Sequence, residues 1–68
     1  MKTEREAWEL AERIALETGY DQIIFKNKNS NYIVGKTSKY RTISPKKVVG
    51  YMRLYYKDNT LGVRAEVA

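Results

Sequence analysis

Nine cationic side chains fall between residues 26 and 57 with no acid among them: Lys26, Lys28, Lys36, Lys39, Arg41, Lys46, Lys47, Arg53 and Lys57. Tyr32, Tyr40 and Tyr51 are interleaved with them. Cations at this density bind phosphate backbones, and tyrosine rings stack on unpaired bases. Lysines also solvate strands and protect sheet edges, so the same residues describe a wet surface equally well. The 68 residues include no cysteine and no histidine. That removes disulfides, zinc held by thiolate or imidazole, and Ser-His-Asp or Cys-His catalysis from this chain. The acids after residue 20 are Asp21, Asp58 and Glu66, far apart in sequence. No nucleophile–base pair is visible, so neither an enzyme nor a cofactor is expected.

The charge is divided unevenly. Residues 1–18 hold Lys2, Arg5 and Arg13 against Glu4, Glu6, Glu9, Glu12 and Glu17, a net of −2, which leaves +7 for the remainder out of a total of +5. An acidic segment joined to a basic body suggests a polyanionic partner. The leading expectation is a small nucleic-acid-binding accessory or regulatory protein that works through phosphate contacts. Its candidate contact residues are Lys36, Lys39, Arg41, Lys46, Lys47 and Arg53. One alternative is an interaction module, inhibitor or adaptor, docking on an acidic surface of a larger protein. Another is a structural homo-oligomer subunit, and a homodimer through the last strand, Leu61 to Val67, is a candidate assembly.

These side chains must be positioned by a small fold. A chain of this length is expected to form one domain, burying about 60% of the surface its unfolded form exposes. Thr3 and Glu6 form a capping box, and a helix is predicted from there to about Thr18, with Gly19 as its terminator. Ala7, Trp8, Leu10, Ala11, Ile14 and Ala15 share one arc, and its alanines admit a close neighbour. DQIIFK and NYIVGKT flank the polar tip NKNS and predict a hairpin. With Lys26 opposite Asn31, Phe25 pairs with Tyr32, Ile23 with Val34 and Asp21 with Lys36, and the Phe25 face packs against the helices. KYRTIS reads as a short third strand.

Ser44 is a good N-cap, Pro45 suits the first helical position, and Val48, Val49, Met52, Tyr55 and Tyr56 have the spacing of a helical core stripe. A second helix is therefore predicted to about Lys57, with Lys46, Arg53 and Lys57 on its opposite side. The last segment alternates, with Leu61, Val63, Ala65 and Val67 on one side, and predicts a strand. The expected fold class is α+β: one small two-layer domain of order α-β-β-(β)-α-β, two helices packed on an antiparallel sheet. Trp8, Ile14, Phe25, Val34, Val48, Met52 and Tyr55 are its expected core.

Three local resemblances bear on function. Gly35-Lys36-Thr37 is similar to the end of a phosphate-binding P-loop, but Ser30 stands where that motif has its first glycine. YIVGKTSKYR resembles the second motif of GIY-YIG nucleases, with an extra valine before the glycine and no GIY triplet upstream; no catalytic residue is carried over. The α-β-β-(β)-α order resembles double-stranded-RNA-binding domains and the small toxins of related topology. In the RNA-binding domains a lysine pair at the start of the last helix contacts phosphates, which implies that role for Lys46 and Lys47. The usual Gly-Pro-x-His loop and the toxins' catalytic histidine have no counterpart here. The charged start, MKTEREAWEL, does not read as a signal peptide, and no apolar run approaches the ~20 residues of a membrane span. The expected location is cytoplasmic, with no membrane partner.

Overall fold

The computed structural model describes residues 3–68. Lys2, counted above in the acidic segment, lies outside the described residues. Helix α1, Glu4–Thr18, starts where expected: the Thr3 hydroxyl oxygen accepts the Glu6 N–H at 3.2 Å, and the hydroxyl donates to Glu6 Oε1 at 2.8 Å. It ends at Gly19, φ 76°, whose N–H donates to the Ala15 carbonyl. Four antiparallel strands follow: β1 (Gln22–Lys26), β2 (Tyr32–Lys36), β3 (Val48–Lys57) and β4 (Thr60–Val67), in the sheet order β2-β1-β3-β4. The protein is thus a small α+β domain with one helix on a four-stranded antiparallel sheet, in the order α-β-β-β-β.

The expected second helix is absent. Ser44 and Pro45 do open a helical turn, but it is a 3₁₀ turn over Pro45–Lys47 without a Ser44 side-chain cap, and strand β3 begins at the next residue. VVGYMRLYYK is rich in β-branched and aromatic residues, which fit a pleated surface, and β1 needs a partner on its free side. Gly50, Met52 and Leu54 face the helix, and Tyr51, Arg53 and Tyr55 face away, as the cross-strand pairs require. KYRTIS is not a strand either. A 3₁₀ turn, Thr37–Tyr40, opens a connection over residues 37–47 that crosses the face of the sheet opposite the helix. There the Tyr40 ring lies 5.0 Å from that of Phe25, and a Cβ at Gly35 would collide with the Tyr40 ring.

The hairpin forms with its register one residue from that expected. Lys26 pairs with Tyr32, Phe25 with Ile33, Ile24 with Val34, Ile23 with Gly35 and Gln22 with Lys36. Asn27 sets this register. Its side-chain Oδ1 accepts the N–H groups of Asn29 and Asn31, its own N–H donates to Asn31 O, and Ser30 closes the loop at φ 63°. The face turned to the helix is therefore that of Ile24, not of Phe25.

Ala7, Ala11 and Ala15, each fully buried, let α1 lie close over Ile24 and Met52, with Trp8, Tyr32, Val34, Leu54 and Val63 around them. Of the expected core, Phe25 and Met52 are buried, while Trp8, Ile14, Val34 and Val48 are half-buried. Tyr55 is 44% exposed, past Met52, the last residue of β3 that pairs with β1. From Arg53 outward β3 and β4 form a two-stranded ribbon. It turns at Asp58 and Asn59, whose φ angles of 52° and 64° are the two left-handed residues of a tight hairpin turn.

Candidate functional site

The connection over residues 37–47 holds four of the six candidate contact residues. Lys39, Arg41, Lys46 and Lys47 lie on it and all are exposed. Two 3₁₀ turns and Tyr40, whose ring is anchored on Phe25 and above Gly35, hold it against the sheet. Among the described residues none of these four is ion-paired. Lys39 Nζ lies 5.7 Å from the centroid of the Tyr40 ring. The acidic residues of α1 belong to the layer on the other face of the sheet from Tyr40.

Lys36 ends β2 at the rim of an open cleft of about 410 Å³, lined also by Gly19, Tyr20, Asp21, Thr37, Ser38 and Arg41. The cleft brings Lys36 and Arg41 together. Lys36 Nζ sits 3.7 Å from the centroid of the Tyr20 ring, close enough for a cation–π contact. Tyr20 is not among the residues that the sequence singles out. Nothing in the local pattern marks it, because the contact depends on the pairing that brings the end of β2 beside the start of β1. The Thr37 Oγ1 atom is buried and has no hydrogen-bond partner among the described residues.

Arg53 is differently placed. It projects from β3 on the face away from the helix, and its Nε donates to Glu66 Oε1 at 2.8 Å while Nη1 lies 3.4 Å from Asp21 Oδ2. Its guanidinium also lies over the Tyr51 ring at 4.6 Å. The Glu66 hydrogen bond, opposed by burial and supported by Asp21, holds the Arg53 pKa above its ordinary value. The other oxygen of Asp21 serves the backbone. Oδ1 accepts the Leu54 N–H at 2.8 Å, extending the edge of β1 by one side chain where its backbone pairing stops. Arg53 thus belongs to a structural cluster at the base of the ribbon, whereas Lys39, Arg41, Lys46 and Lys47 do not.

No three acidic side chains among the described residues converge to hold a metal ion, and none of the described helices is long and apolar enough to cross a membrane. No family model matches the chain, and comparison with curated proteins and with solved structures gives no match. The single helix also removes the topology on which the likeness to double-stranded-RNA-binding domains rested.

Proposed function

We propose that this is a non-enzymatic nucleic-acid-binding protein, accessory or regulatory in role, that grips backbone phosphates through the connection over residues 37–47. The observation that carries the reading is that Lys39, Arg41, Lys46 and Lys47 are all exposed on one connection, with no ion pair among the described residues. Lys36 adds a cation beside Arg41 at the neighbouring cleft. Arg53 is committed to Glu66 and Asp21 and contributes little. Four or five phosphate contacts would give log affinity a slope of about −4 against log salt on duplex DNA, and a shallower one on single strands. Titration of labelled duplex and single-stranded DNA and RNA at several salt concentrations tests this. Absence of binding to all of them at low salt would sink it.

The second reading, an inhibitor or adaptor docking on an acidic protein surface, is favoured by the cleft between Lys36 and Arg41, which has room for a carboxylate side chain. Binding to a purified acidic protein that survives nuclease treatment and is lost on Lys36→Gln with Arg41→Gln would put it ahead. A second copy of the chain is the remaining candidate partner, since residues 61–67 lie in an edge strand. The proposed place of work is the cytoplasm.

A further inference from the structure

The sheet has two edges, and they are unlike. At one edge β2 is five residues long, ends in Lys36, and has Lys26 Nζ over its Tyr32 ring at 5.0 Å. Short length and lysines are the usual protections of an edge. At the other edge β4, TLGVRAEV, is eight residues long and contains no lysine and no proline.

The direction of its free backbone groups follows from the turn. Lys57 and Thr60 flank a two-residue hairpin loop and are therefore a doubly hydrogen-bonded pair. Alternation makes Tyr55 with Gly62, Arg53 with Arg64, and Tyr51 with Glu66 the next such pairs. The Ala68 N–H donating to Val49 O at 3.1 Å continues the same series. Leu61, Val63, Ala65 and Val67 thus turn their N–H and C=O groups outward. The side chains of Val63 and Ala65 lie on the helix side, opposite Leu54 and Met52, and Val67 is 82% exposed.

We infer that the β4 edge pairs antiparallel with the β4 edge of a second copy, about a two-fold axis at Ala65. This inference does not depend on the nucleic-acid reading. Two-fold self-pairing must match outward-bonding residues, which leaves few registers. Centring on Arg64 would set the two Arg64 guanidinium groups against each other, and like charges directly opposite are destabilising. Centring on Val63 would pair Arg64 with the partner's Gly62. Centring on Ala65 pairs Val63 with the partner's Val67 on the apolar side and Arg64 with the partner's Glu66 on the other, twice by symmetry. Glu66 holds Arg53 through Oε1, which leaves Oε2 for the partner's Arg64. Arg64 itself makes no ion pair among the described residues. Charge complementarity selects the partner as another copy of this chain and fixes the register. The result is one continuous sheet across two copies.

The absence of native cysteine makes the test unambiguous. Sedimentation equilibrium of the wild-type protein should approach twice the 8.0 kDa chain mass as concentration rises. Ala65→Cys, whose two copies would face each other across the axis at a separation a disulfide can bridge, should form a covalent dimer on mild oxidation much faster than Thr60→Cys. Ala65→Pro removes an N–H that the monomer does not use and should leave a folded monomer, checked by circular dichroism and thermal melting. If that variant fails to fold, Arg64→Glu takes its place. It faces the partner's Glu66 and should weaken the dimer by about tenfold. A wild-type protein that stays monomeric at every concentration overturns the inference. So does a dimer that crosslinks no faster at position 65 than at position 60, or one indifferent to Arg64→Glu.

Discussion

Strand β1 and the outer half of the β3–β4 ribbon draw on similar residue types, yet they end in opposite environments. Ile23, Ile24 and Phe25 are all buried, with exposures of 3%, 0% and 6%, whereas Tyr55 and Tyr56 are 44% and 76% exposed. The difference lies in what covers each strand. Above β1 lies the alanine stripe of α1, and below it lies Tyr40, carried there by the connection from β2. The ribbon past Met52 has lost β1 as a neighbour and has no connection beneath it. Burial in so small a fold follows from layering more than from the hydrophobicity of any strand. The ribbon is held by backbone pairing, by its tight turn and by the carboxylate of Asp21.

The sharpest way to break this contrast is to truncate one aromatic in each region. Phe25→Ala should cost about 3–5 kcal/mol, enough to unfold most of the protein. Tyr56→Ala should change stability by no more than about 0.5 kcal/mol. Urea denaturation of both variants decides the matter, and comparable losses would mean that the ribbon is as much core as β1.

How far the sequence reveals these two regions depends on which contacts set each one. The first helix is legible because its cap, its alanine arc and its terminal glycine are all local signals. The hairpin is legible as a hairpin, but its register rests on the Asn27 side chain, which a count of tip residues does not see. Residues 48–57 read as a helix because Val48, Val49, Met52, Tyr55 and Tyr56 have the spacing of a helical stripe, whereas the strand that forms turns Gly50, Met52 and Leu54 to the helix side. Only the free side of β1, a long-range demand, decides for the strand. The candidate cations fare similarly. Lys39, Arg41, Lys46 and Lys47 are close in sequence and lie exposed on one connection, whereas Arg53 is claimed by Asp21 and Glu66, 32 and 13 residues away.

The layer beneath β1 can be tested separately from β1 itself. Gly35→Ala places a methyl group where Tyr40 lies, so the ring and its connection must lift. A loss of about 1–3 kcal/mol is expected. With Tyr40→Ala already present, the same substitution should cost far less, since the obstructing ring is gone. Additivity in this double-mutant cycle would show that Tyr40 is not what covers Gly35.

The base of the ribbon offers a smaller effect. Asp21→Ala removes the acceptor of the Leu54 N–H and one of the two partners of Arg53. The site is partly open to water, so the expected loss is about 1 kcal/mol. Hydrogen exchange gives the better readout, because the Leu54 amide should lose its protection while that of Ile24 keeps it. Asp21→Asn retains an oxygen acceptor and should preserve the Leu54 protection. Equal protection in the alanine variant would mean that the ribbon does not need this side chain.

The smallest effect on stability is expected where the proposed function is strongest. Lys46 and Lys47 lie exposed on a 3₁₀ turn with no ion pair among the described residues. Exposed cations of this kind rarely alter stability by more than about 0.5 kcal/mol. Changing both to glutamine should therefore leave the melting temperature nearly unchanged. If the connection is a phosphate-binding surface, the same change removes two contacts, and the salt slope of nucleic-acid binding should become shallower by about two. Arg53→Gln supplies the opposite control: it breaks the pairs to Glu66 and Asp21, so it should lower the melting temperature slightly and leave the slope alone. A slope indifferent to the lysine pair would take Lys46 and Lys47 out of the binding surface, and one that follows Arg53 instead would move that surface from the connection to the ribbon.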